Sequence, residues 1–238
     1  MSLTVPAVLP TSREDLENKL ALFARIPSVS RVQIDVVDGE FATPASWPYT
    51  APIELRDAAA RGSLLPDLDR IAYEIDLMCL DAERASEAWI ALGASRLTFH
   101  AESIRDLAQF LTSIRARYGD GFLTCDLINI GLALNVASDL SLIEPHLDRI
   151  DYVQFMGIAR IGRQGQPFDR RVLEKVRLFH VRHPEIPVQV DGGVSLQSAR
   201  ELIAQGASDL VVGSAILRAD DPVAEIEKFD SLRSSFGV

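Results

Sequence analysis

The sequence predicts a TIM (β/α)8 barrel, with residues 1–238 forming one domain, and three observations predict it. Short β-rich runs alternate with amphipathic segments along the chain, the pattern of repeated βαβ units and a parallel sheet. Eight such pairs fit within 238 residues, and no early Gly-x-Gly-x-x-Gly turn marks an open doubly wound sheet. Near the C-terminus, Val188-Gln-Val-Asp191-Gly192-Gly193-Val194 is followed by Val211-Val-Gly213-Ser214-Ala215, two strand–Gly turn–helix units in succession. Turns of this kind offer backbone N–H groups to a phosphate, and (β/α)8 barrels carry such a site after their seventh and eighth strands.

The elements are expected in this order. A strand over 5–9 precedes a helix over 12–23, with Ser12 as its N-cap. The β-branched run at 31–37 is the second strand, followed by a short helix over 55–61. A third strand at 71–77 leads to a helix over 82–92 that ends near Gly93. The fourth pair is a strand at 96–100 and a helix over 104–118, closed by Gly119. The fifth strand lies within 123–135 and precedes a short helix over 140–147. A strand at 152–156 and a helix over 169–183 form the sixth pair. The seventh is a strand at 188–190 and a helix over 196–205, closed by Gly206. The last strand is at 209–212, and the final helix, over 222–229, has Pro222 in its first turn.

The composition, 47% hydrophobic, is enough for a large core, and no linker or low-complexity tract divides the chain. A net charge of −10 argues against nucleic acid and against an anionic membrane surface, so a phosphorylated ligand relies on local amides. Cys79 and Cys125 lack metal-site spacing and read as buried free thiols in a reducing compartment. The N-terminus has no basic leader and no run approaches a membrane span, so a cytoplasmic protein is expected.

Barrel active sites lie at the C-terminal ends of the strands. The polar residues expected there are Gln33, Asp35, Asp76, His100, Asn135 and Asp191, with Met78 and Met156 beside them. Asp35, Asp76 and Asp191 converge on one mouth in this reading; carboxylates so gathered share a proton, bind a cation, or both. Taken singly, each acid could equally cap the loop that follows it. His100 reads either as a site residue or as a packed rim residue, and Asp38-Gly39 reads as a turn. His146, His180 and His183 fall on helices as surface residues. The three lysines, Lys19, Lys175 and Lys228, fall on helices too, which argues against Schiff-base chemistry.

These segments resemble the ribulose-phosphate 3-epimerase family. Ile34-Asp35-Val-Val-Asp38-Gly39-Glu-Phe41 is similar to its Asp-x-Met-Asp-Gly-x-Phe stretch, and Asp76-Leu-Met78 to its His-x-Met. His100-Ala-Glu102 and Gly131-Leu-Ala-Leu-Asn135 resemble its strand-four and strand-five motifs. Gly162-Arg-Gln-Gly165-Gln166-Pro-Phe168 resembles its phosphate loop, and the Asp191-Gly192-Gly193 and Gly213-Ser214 turns match closely. The resemblance implies a barrel of the ribulose-phosphate binding type that epimerises a phosphorylated ketose through an enediolate. Asp35 and Asp191 take the places of the acid and base. Gln33, Asp35, Asp76 and Asp191 occupy the metal-ligand places, and Gly162, Gly165, Gln166, Gly192, Gly193, Gly213 and Ser214 hold the phosphate. Ala7, Met78, His100, Asn135 and Met156 line the substrate pocket.

The chain departs from the family where sugar and metal are held. Gln33 and Asp76 stand at the family's two His positions, so the ligand set is oxygen-only and suits magnesium or manganese rather than zinc or iron, if a metal is kept at all. Ala7 replaces a strand-one serine, Val37 a methionine, and Arg163 and Gln164 a Phe-Gly pair. One extra residue separates Met156 from Gly162. Two alternatives therefore stay open: a metal-dependent sugar-phosphate lyase or decarboxylase, although the lysine that sister families carry on strand three is missing, and a non-catalytic sugar-phosphate binder. Barrels of this type often pair, so a homodimer is expected.

Overall fold

The computed structural model describes residues 3–119 and 128–236. Eight parallel strands close into a barrel in sequence order. They are β1 (Thr4–Val8), β2 (Arg31–Val37), β3 (Ala72–Met78), β4 (Arg96–His100), β5 (Asn129–Leu134), β6 (Tyr152–Met156), β7 (Val188–Asp191) and β8 (Asp209–Val212). The surrounding helices are α1 (Arg13–Ala24), α2 (Pro52–Ala60), α3 (Ala82–Ala91), α4 (Leu107–Tyr118), α5 (Arg171–Arg182), α6 (Leu196–Ala204), α7 (Ser214–Leu217) and α8 (Pro222–Phe236).

Local chemistry sets the helix boundaries. Ser12 caps α1 by accepting from the Asp15 amide, and Asp106 caps α4 by accepting from the Gln109 amide. That second cap explains why α4 begins at Leu107 rather than near residue 104; Ala101–Ser103, directly after β4, form a single 3-10 turn. The helix expected over 140–147 is instead two 3-10 segments, Leu140–Leu142 and Glu144–Arg149. Asp139 caps the first and Pro145 interrupts the backbone donors, so no α-helical ladder runs through. A short helix that sequence periodicity missed, α7, follows β8 directly. The part of the expected fifth strand before residue 128, and Cys125, lie outside the described residues. Cys79 is free and buried.

The strand faces that pack against the helices are apolar: Val32, Ile34, Val36, Ile75, Leu97, Phe99, Val153, Phe155 and Val190 are all fully buried. Each fully buried aliphatic side chain contributes about 1.5–3 kcal/mol, so this belt between strands and helices carries most of the cohesion. The barrel interior is different. Gln33, Glu74, Asp76, Thr98, His100, Gln154 and Gln189 point there and are also buried. Buried polar groups are tolerated only when hydrogen-bonded, and these residues form one connected network. Gly131 makes room for part of it: a Cβ there would lie 2.3 Å from the ring of Tyr152, whose hydroxyl meets Thr98 Oγ1 at 2.7 Å.

Candidate active site

The C-terminal ends of β2, β3 and β7 bring Asp35, Asp76 and Asp191 together. One oxygen from each lies within 4.8 Å of the others. Asp35 and Asp76 are direct register partners on adjacent strands, and Asp191 pairs with Met156 of β6. Asp35 and Asp191 face a cavity also lined by Ala7, Met78 and Met156, whereas Asp76 is fully buried behind them.

Gln33, one layer below the mouth, bridges the outer pair. Its Nε2 donates to Asp35 Oδ1 at 2.8 Å and to Asp191 Oδ2 at 3.0 Å. The amide thus turns its nitrogen to the acids, and its oxygen accepts from Gln189 Nε2 at 3.2 Å. In this orientation Gln33 is a donor to the carboxylates and not an oxygen ligand. Asp76 is held from both sides, by His100 Nε2 on Oδ1 and by Gln154 Nε2 on Oδ2, each at 3.0 Å. His100 is fully buried and packs against Phe41, with ring centroids 5.4 Å apart; it supports Asp76 rather than lining the cavity.

Burial, and then the charges of Asp191 and Asp76, push the Asp35 carboxyl well above the usual carboxylate range. Burial and the Asp76 charge raise Asp191 to about 7, against the lowering effect of the Gln33 amide. Both carboxyls are thus held toward the protonated form, and two acids this close titrate together rather than independently. Deeper in the barrel, burial also acts on Glu74, but Arg96 and Arg31 outweigh it and hold Glu74 below its ordinary value.

A glycine-lined cradle adjoins the acids. Gly162, Gly165, Gln166, Gly192, Gly193, Gly213 and Ser214 all line the same cavity. Gly193 has φ +67° and runs so close to the next loop that a Cβ would lie 2.7 Å from Phe168 Cα. A side chain at Gly165 would meet the Arg218 guanidinium. Gln164, from the altered loop, donates to the Ala7 carbonyl at 3.2 Å and lies over Gly213, so it roofs the strand-one position that lacks a hydroxyl. Asn135 lies in an adjoining groove with Gln166 and Arg163, not in the cavity that Asp35 faces.

The Asp38-Gly39 turn closes the other side. Asp38 accepts from the amides of Glu40 and Phe41 and from that of Leu80, tying the loop after β2 to the end of β3. Among the described residues, no lysine lines the cavity: Lys175 donates to the carbonyls of Asn135 and Ser138, Lys19 to Asp15 and the Leu9 carbonyl, and Lys228 to Glu225.

The three carboxylates fit a hard divalent cation by donor chemistry, since all their ligand atoms are oxygens. Leu9, Ile158, Val194 and Val211, which line the cavity, and the supporting residues Glu74, Gln154 and Gln189 were not foreseen from the sequence. A signal for the supporting residues existed: Gln33, Glu74, Gln154 and Gln189 each stand two positions before a rim residue, and so on the same strand face.

Fold and mouth together define a (β/α)8 barrel of the ribulose-phosphate binding type. Solved structures agree on the fold. KGPDC from Streptococcus mutans superposes with a TM-score of 0.65 over 99% of this chain and 98% of that chain, at 14% identity. The 3-hexulose-6-phosphate synthase of Salmonella typhimurium does so with a TM-score of 0.63 over 99% of both chains, at 16% identity. The family model described as "Ribulose-phosphate 3 epimerase family" matches residues 5–217, and the chain belongs to that family. It is 26% identical over 230 residues to the ribulose-phosphate 3-epimerase of Schizosaccharomyces pombe, covering 97% of this chain and 92% of that protein. It is 28% identical over 222 residues to that of Escherichia coli K12, covering 92% and 88%.

Proposed function

We propose that this protein is an epimerase of a phosphorylated ketose, working by two-base proton transfer. The observation that carries the reading is the Asp35–Asp191 pair: two acids from β2 and β7, bridged by one amide, facing one cavity beside a glycine cradle. The substrate phosphate lies on the turns at Gly192-Gly193 and Gly213-Ser214 and on the loop carrying Gly162, Gly165 and Gln166. In this reading the sugar carbons lie over the acids. The ionised member of the pair removes the proton from the carbon next to the ketone, which leaves an enediolate. The protonated member returns a proton to the opposite face and inverts the centre. Two acids whose carboxyls are both raised are suited to exchanging protons with a carbon acid, and the direction of the reaction decides which residue plays which role.

Asp35, Asp76 and Asp191 are the residues that would hold a divalent cation, magnesium or manganese by donor type. Such an ion would supply electrostatic stabilisation of the enediolate. Met78 and Met156 give the sugar an apolar wall, and Ala7 with the Gln164 side chain forms the strand-one side. The absence of a cavity lysine among the described residues counts against a lyase reading.

The test is hydrogen exchange at the substrate carbon in D2O with ribulose 5-phosphate. The wild-type protein is expected to exchange the proton, and Asp35→Asn to lose the exchange by at least about 100-fold, the usual worth of a positioned general base. Unchanged exchange in Asp35→Asn refutes the two-base mechanism. Tight ribulose 5-phosphate binding without exchange in the wild-type protein would identify a non-catalytic binder.

A further inference from the structure

The acids meet the ends of two glutamine side chains, and an amide can present either its NH2 or its oxygen. The carboxylates, as acceptors, favour the NH2, and a second group deeper in the barrel fixes the same choice from the other end. Glu74 Oε2 accepts from Arg96 Nε at 3.0 Å. Its Oε1 accepts from Thr98 Oγ1 at 3.0 Å, from the Tyr152 hydroxyl at 3.2 Å and from Gln189 Nε2. A carboxylate paired with a permanent guanidinium cation offers no N–H, so Gln189 must turn its NH2 to it. With one hydrogen given to Glu74, the second hydrogen of this NH2 is shared between Gln154 Oε1 at 2.8 Å and Gln33 Oε1 at 3.2 Å. The oxygens of Gln154 and Gln33 are thereby committed inward, and their NH2 groups point up to the carboxylates: Gln33 to Asp35 and Asp191, Gln154 to Asp76. Gln189 Oε1, by contrast, is buried without a partner among the described residues. A reversed Gln189 would give Glu74 an oxygen in place of a hydrogen. The present orientation is therefore imposed by Glu74, against the needs of the Gln189 oxygen.

We propose that Glu74 is a positioning residue of the active site: through Gln189 it sets the polarity of an amide relay, so that Gln33 and Gln154 meet the three carboxylates as donors and withhold their oxygens from a cation held there. The inference rests on the reading of Asp35, Asp76 and Asp191 as the reacting and cation-holding acids. It adds a residue that touches neither substrate nor cation. It also assigns a physical role to glutamine at 33: its NH2 occupies the gap between the two acids as a neutral donor, where a ligand would have presented a lone pair.

Glu74→Gln tests the relay with a prediction of unusual sign. The new amide keeps its oxygen on Arg96 and turns its NH2 to Gln189. Gln189 then reverses, and, once a cation is held by the triad, Gln33 and Gln154 are free to reverse after it, placing two amide oxygens against the ion. Titration calorimetry with Mn2+, in the absence of any substrate, is expected to show tighter binding by the variant, on the order of 10-fold, the usual scale of outer-shell changes at metal sites. A residue that merely supported the fold would loosen the site and weaken binding. Equal or weaker Mn2+ binding by a folded variant, including no binding by either protein, overturns the proposal. Neutron diffraction of the deuterated wild-type protein reads the relay without a mutation. Deuterium is expected on the Gln33 atom facing Asp35 and Asp191, and an oxygen found there overturns the proposal even if Glu74→Gln does not fold. Neither measurement uses turnover, so their outcomes stand apart from the exchange assay on Asp35.

Discussion

Asp191→Asn should make the cation-free protein more stable in alkaline buffer, although it removes a residue of the reacting pair. In the fold, burial and the Asp76 charge raise the Asp191 carboxyl from 3.8 to about 7. Between those two values the folded protein keeps a proton that the unfolded chain has released. Stability therefore falls as pH rises through this window, by about 1.4 kcal/mol per pH unit. From 3.8 to about 7 is about three units, so the full penalty has an upper bound of about 4 kcal/mol, present above pH 7 and absent below about pH 4. Asparagine has nearly the same shape, carries no charge and still offers an oxygen to the Gln33 NH2. At half the upper bound, about 2 kcal/mol, the melting temperature of a chain this size rises by about 4–8 °C. Differential scanning calorimetry in EDTA at pH 8 and at pH 4.5 is the assay. A gain at pH 8 that shrinks at pH 4.5 is expected, and excess Mg2+ at pH 8 should narrow it by stabilising the wild-type protein. Equal or lower stability of Asp191→Asn at pH 8 refutes the claim that burial, aided by the Asp76 charge, penalises an ionised carboxylate at this position.

Two further outcomes follow from the geometry. Gly193→Ala places a methyl against the Phe168 backbone at a residue with φ +67°, so it should raise KM for a phosphorylated ketose and cost about 1–3 kcal/mol of stability, read by urea denaturation; an unchanged KM would show that the cradle does not bind the phosphate. Cys79 is buried and its thiol is pushed up to about 12, first by burial, so peptide mapping after iodoacetamide at pH 8 should find Cys79 unlabelled in the native protein and labelled in urea.

The barrel was legible in the sequence because each strand presents a continuous apolar face to its helix and each turn carries a punctuating Gly, Pro or capping residue. The three acids were legible for a similar reason: a strand end followed by glycine or a capping turn fixes which residues stand on the rim, as for Asp191 before Gly192 and Gly193. The direction of an amide was not. Asp35, two residues on, favours the NH2 of Gln33, but the contacts that hold the amide from its other end, Arg96 through Glu74 and Gln189, lie on different strands and cannot be read locally. His100 was ambiguous for the same kind of reason, since its task depends on Asp76, 24 positions away. Helix α7 escaped notice because four residues are too few to display a period. The 140–147 segment misled because Leu140, Ile143 and Leu147 have helical spacing while Asp139 and Pro145 favour tighter turns.

The pairing of β2 with β3 has a mechanical consequence. These strands match residue for residue from Arg31 with Ala72 through Val37 with Met78, and Asp35 and Asp76 stand side by side within that zipper. Two carboxyl groups anchored there stay neighbours for as long as the strands stay paired. The mouth thus behaves as a clamped electrostatic spring, whose tension is relieved by what enters it, a proton or a positive guest, and not by backbone motion.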